Sequence, residues 1–182
     1  MGCGGNGDRI TCHNAVRDVI FSAAQSAALA PSKERPNLIP DSSSRPADVF
    51  LPIWSRGRPV AIDVQVISPL QQQIVGSAAS APGHALQVGV QRKLASHLSA
   101  CRSIGVEFLP FVVETLGGLA EDAISILNSL GKAITQRVGY QDNSSVCTKQ
   151  LFHRTAIAVW RGNASLWLHR LPPLPPFIDG VV

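Results

Sequence analysis

The chain has 182 residues, 45% of them hydrophobic, with a formal net charge of +4 and a pI near 9.2. That length supports one domain with a real core. Only 15% of residues are charged and no Lys/Arg run occurs, so composition permits an anionic partner without demanding one. No charged-then-apolar leader opens the sequence, and no apolar stretch approaches the roughly 18 residues that cross a bilayer, so a soluble chain with no membrane partner is expected.

Cys3, Cys12, Cys101 and Cys147 lie far apart in a chain too large to need covalent staples. Reduced thiols in an intracellular protein are therefore expected rather than a disulfide framework. Two Asn-x-Ser sequons, at Asn143 and Asn163, carry no weight in a reducing compartment.

Residues 1–12 are glycine-rich and read as irregular, and then Val16, Ile20, Ala23, Ala24 and Ala27 recur at helical spacing, with Asn14 as a cap and Pro31 beyond the end. Residues 31–46, with four prolines and three consecutive serines, read as a surface connection. Runs at about 48–53 and 59–67 are β-rich on either side of "WSRGR", where Gly57 supplies a turn, so a hairpin is expected. Residues 68–83 are polar and small. From His84 to Ser103, Leu86, Val90, Leu94, Leu98 and Cys101 mark an amphipathic helix stopped by Gly105. "VEFLPFVVET" reads as a buried strand, and helices follow at about 118–132 and 145–170, the last interrupted near Gly162 and closed by "LPPLPP". The order predicts an α/β domain with a small mixed β-sheet flanked by helices. Its parts are an N-terminal segment and helix (1–30), a core (31–138) and a helical extension with a Pro-rich tail (139–182).

Two aspartates interrupt the β-rich runs. In "VAIDVQV" the side chains alternate, so Ala61, Asp63 and Gln65 share one face and Val60, Ile62, Val64 and Val66 the other, which reads as the core face. If the hairpin folds about the Arg56–Gly57 bond, Asp48 lies opposite Gln65, and Asp63 is its diagonal neighbour on the same face. Two converging carboxylates repel, and a hard cation such as Mg²⁺ between them is the natural compensation. On the following helix Lys93 falls at the border of the apolar face, Arg92 points away, and His97 follows Lys93 by one turn. A lysine there can offset charge on a phosphorane-like transition state.

An acid at the start of a hairpin, "IDVQV" in its second strand, a lysine-bearing helix and then "FLPFVVETLGG" resemble, in order and spacing, the PD-(D/E)XK restriction-like endonuclease domain. More narrowly, they resemble the version at the C-terminal end of reverse transcriptases encoded by non-LTR retrotransposons. The resemblance covers about residues 8–135 and implies a restriction-endonuclease-like fold, Mg²⁺ or Mn²⁺ as cofactor, DNA as partner, no small-molecule cofactor and a nuclear location. It implies that Asp48 and Asp63 are metal-binding acids and that Lys93 is the family's lysine displaced to the helix. Gln65 stands where the in-strand lysine would be, and Glu114 is a weaker additional candidate. Metal-dependent nicking of DNA is the expected activity. A catalytically degenerate domain that serves as a nucleic-acid-binding or assembly module is the alternative.

A Cys/His knuckle often precedes these elements in such proteins, but Cys3, Cys12 and His13 contain no C-x-x-C unit and lack a fourth ligand. Zinc is accordingly not expected, and a remnant of a longer polyprotein is the reading for this segment. Trp54 precedes the hairpin turn. Trp160 and Trp167, seven apart on one helix face, are expected to fill a core or a dimer contact rather than to stack on bases.

Overall fold

The computed structural model describes residues 6–40, 45–139 and 144–170. Cys3, the serine run at 42–44, the first sequon at Asn143 and the Pro-rich tail lie outside the described residues. The fold is α/β: a four-stranded mixed sheet packed with five helices.

Helix α1 (Asn6–Ser26) begins well before the expected cap, so Asn14 is interior to it and residues 6–12 are helical rather than irregular. Tertiary packing overrides the weak local signal: Val16, Ile20, Ala23 and Ala24 are all buried against the sheet and the helices beside it. Ala28 and Ala30 take positive φ after the helix, and Pro31 follows. The segment read as a plain surface connection contains a two-residue strand, β1 (Ser32–Lys33), which pairs with β2 (Val49–Leu51).

β2 pairs antiparallel with β3 (Val60–Ile67), and β3 pairs in parallel with β4 (Glu107–Glu114), giving the order β1-β2-β3-β4. Pro110, which has no N–H to donate, is placed on this edge strand. The hairpin register corrects the expected one: Val49 faces Ile62 and Leu51 faces Val60, a displacement of two residues. Its cause is the loop, where a tight turn at Ser55–Gly57 holds Arg56 at φ 55° and Gly57 at φ 74°, closed by Trp54 N–H donating to the Arg58 carbonyl. A two-residue displacement leaves every side chain on its original face. Continued by one pair, this register sets Asp48 directly opposite Asp63.

Both faces of the sheet are buried, so the core is not confined to the valine face. On that face Val49, Leu51, Val60, Ile62, Val64 and Phe111 pack against α1, α4 (Glu121–Val138) and α5 (Ser144–Leu168). The other face is covered by α3 (His84–Ser103), where Phe50, Ala61, Phe108 and Cys101 form one cluster and Ile67, Ala85 and Val112 another. A short helix, α2 (Val75–Ser80), precedes α3 in the stretch read as irregular.

α5 runs uninterrupted through Gly162. A Cβ at that position would meet Cys12 Sγ and Cβ, so the glycine serves a close crossing of α1 and α5 rather than a helix break. Trp160 and Trp167 are 58% and 56% exposed, so neither fills a core in this chain. Cys12, Cys101 and Cys147 are free thiols. Among the described residues no helix is long and apolar enough to cross a membrane.

Candidate functional site

β3 carries Asp63 on the face covered by α3, and the close approach of that helix brings Lys93 to it. Gly89, one turn before Lys93, would place a Cβ 2.7 Å from Val112 Cγ1. With Ala85 and Cys101 also fully buried, the row of α3 nearest the sheet is Ala85, Gly89, Lys93, His97 and Cys101, at four-residue spacing. The apolar row Leu86, Val90, Leu94 and Leu98 lies beside it, only partly buried. Lys93 and His97 thus sit over the sheet rather than at the border of the buried face, because the helix docks on its small residues.

Lys93 Nζ donates to Asp63 Oδ1 at 2.8 Å, and His97 Nε2 lies 3.6 Å from Asp63 Oδ2 while its ring packs on Phe108. Asp63 is 4% exposed and its Oδ2 has no hydrogen-bond partner among the described residues. Asp48, just before β2, accepts from Val64 N–H at 2.7 Å through Oδ2, and its Oδ1 lies 3.1 Å from His13 Nε2. The hairpin register sets the two carboxyl-bearing residues opposite each other, close enough that each perturbs the titration of the other. The convergence expected of Asp48 and Asp63 is present, with Lys93 in direct contact.

The two acids are driven apart electrostatically. At Asp63, burial raises the pKa, Lys93 opposes this, and the neighbouring Asp48 raises it again, leaving it pushed up to about 7. At Asp48, burial acts in the same direction, but the His13 contact and the Val64 N–H outweigh it and hold the group below the ordinary carboxylate value. The pair can therefore share one proton near neutral pH, with Asp48 as the ionised member. His97 is held below its ordinary value by burial and by the Lys93 charge.

Beside the pair lies a cleft of about 640 Å³ whose lining includes His13, Gln65, Arg92, Lys93, His97 and Asn163. Asp63 sits behind Lys93 and His97. Gln65 shares the cleft, and its Oε1 is buried with no hydrogen-bond partner among the described residues. Arg92, which the helical projection directs away, lies at the cleft's rim. Glu114 is not brought to the acids: β4 pairs it with Ile67, four residues from the Pro110–Asp63 level and about 13 Å along the sheet, where its carboxylate packs against Gly118.

The sequence places His13 only in a knuckle remnant. It is instead the group on Asp48, one turn ahead of Val16 on the face that α1 presents to the sheet. Its neighbour Cys12 also borders the cleft and packs at the α5 crossing against Gly162, where burial raises its thiol pKa. The contributions of α1 and α5 to the cleft have no local signature, since they arise from helices 100 or more residues apart meeting at one end of the sheet. Among the described residues, no group of three or more His, Cys, Asp and Glu side chains surrounds a single point suited to a metal ion. No protein-family model and no curated protein matches this chain.

Proposed function

We propose that the chain is a metal-dependent DNA endonuclease of the PD-(D/E)XK, restriction-endonuclease-like type, related to the nuclease domains of non-LTR retrotransposon reverse transcriptases. One observation carries the reading: two aspartates set opposite each other across a hairpin, with an ammonium that lines a cleft 2.8 Å from one of them. The acids suit a hard cation. Asp63 Oδ2 is a buried acceptor with no donor among the described residues, beside a second carboxylate, and a divalent ion in place of the shared proton would compensate both charges. Asp48 and Asp63 would hold Mg²⁺ or Mn²⁺, with the remaining positions left to water and a phosphate oxygen. When bound, such an ion supplies Lewis acidity toward the phosphate and lowers the pKa of an attacking water.

The chain's own groups have separate tasks. Lys93 leaves Asp63 Oδ1 for the phosphate and offsets transition-state charge. His13 and Val64 N–H keep Asp48 ionised and oriented. Gln65, one step along the same face of β3, offers its amide to the substrate side. Partner and compartment follow from the activity: DNA, in the nucleus.

A catalytically degenerate nucleic-acid-binding module is the second reading. It is favoured by the position of Asp63 behind Lys93 and His97, with each acid already compensated within the chain. Nicking of supercoiled plasmid in Mg²⁺ or Mn²⁺, against a chelator control, separates the two. The nuclease reading expects metal-dependent nicking, abolished by Asp63→Ala, and calorimetric binding of Mn²⁺ that the same substitution removes. Folded wild-type protein that neither nicks nor binds metal would establish the degenerate module.

A further inference from the structure

Helix α5 carries Lys149, Arg154 and Arg161 and no Asp or Glu over its 25 residues. All three cations are exposed. Two large aromatic side chains on the same helix face outward, Trp160 at 58% exposure, between Arg154 and Arg161, and Trp167 at 56%, beyond Arg161. On the helical projection Trp160 and Trp167 lie about 60° and 40° from Asn163, with Lys149 and His153 on the same stripe. Asn163 and Leu166 line the cleft beside the acid pair, so the tryptophan stripe continues the rim of that cleft along the helix.

We propose that the outer face of α5 is a docking surface for single-stranded nucleic acid, with bases stacked on Trp160 and Trp167 and phosphates met by Lys149, Arg154 and Arg161. Exposed tryptophans are poorly hydrated, and every base offers a π-face to them. The seven-residue interval, about 10 Å along the axis, spaces the two rings for separate bases of one strand. Charge selects this occupant over a second copy of the chain. A symmetric α5–α5 contact would bring two acid-free, cationic helices together, whereas a polyanion complements them. The surface deepens the proposed function, resting on it only for the direction of the strand, which would run from α5 into the cleft.

Titration of a fluorescein-labelled 15-nucleotide oligothymidylate by anisotropy, in chelator so that no cleavage occurs, tests the surface. Trp160→Ala/Trp167→Ala is an exposed-site variant in which circular dichroism should be unchanged. It is expected to weaken binding by roughly ten-fold or more per tryptophan. Arg154→Gln/Arg161→Gln should instead flatten the dependence of log affinity on log salt by about 0.7 per cation. Equal affinity of the double tryptophan variant and wild type overturns the proposal. So does a wild-type dimer in sedimentation that the variant dissolves, or a stripe that binds phosphatidylserine vesicles and not the oligonucleotide. Plasmid nicking measured in parallel keeps the two readings apart. Tryptophan-dependent binding without nicking removes the nuclease alone, and nicking with tryptophan-independent binding removes the α5 surface alone.

Discussion

Replacing Asp63 by asparagine fixes the position in the shape of its protonated form and removes one titration from the fold. In the wild-type protein burial, partly opposed by Lys93, pushes this carboxyl up to about 7, against 3.8 in an unfolded chain. The folded state therefore holds a proton that the unfolded chain has released, and stability falls as pH rises between those two values, then levels off. From pH 5 to pH 8 about two units of that gap are crossed, at about 1.4 kcal/mol each, so this one group removes on the order of 3 kcal/mol. Asp48, depressed below the ordinary value, changes stability only below that window. His97, also depressed, adds stability with rising pH, but it does so in both proteins and cancels in the comparison. Urea unfolding of wild type and Asp63→Asn at half-unit intervals should show the variant gaining on wild type by roughly 3 kcal/mol between pH 5 and 8. Parallel profiles over that range would refute the shared-proton account of the acid pair.

Lys93→Ala leaves Asp63 without its cation, so a loss on the order of 2 kcal/mol at pH 8 that shrinks below about 0.5 at pH 5 is expected in the same urea series. If the domain is a nuclease, nicking should fall about a hundredfold in addition, measured at a temperature where both proteins are folded. Gly89→Ala drives a methyl group against Val112 Cγ1, 2.7 Å away. Overpacking of about 1–3 kcal/mol should exceed the roughly 1 kcal/mol that alanine adds to an isolated helix, for a net loss visible in the urea midpoint. Gly162→Ala should destabilise by a similar amount through its collision with Cys12, and Cys12→Ala in the same chain should recover part of the loss in a double-mutant cycle.

Local pattern alone determined the long elements. The strand at 60–67 and the helix at His84–Ser103 follow from alternation and from a four-residue apolar spacing that needs no knowledge of neighbours. Side-chain parity also put Asp48 and Asp63 on one face, and a two-residue error in register could not undo that, because parity survives an even shift. Tertiary structure decided the rest. The register itself depended on the φ values of Arg56 and Gly57, and the extension of α1 back to Asn6 depended on packing. Lys93 lies over the sheet rather than at the border where periodicity puts it, because α3 docks on Ala85 and Gly89, which carry little hydrophobic signal but allow the closest approach to the sheet. His13 and Asn163 reached the site only because α1 and α5 cross near the same end of the sheet, at Cys12 and Gly162. Periodicity records which face of an element is apolar; which elements meet, and how closely, is fixed by the packing of all of them at once.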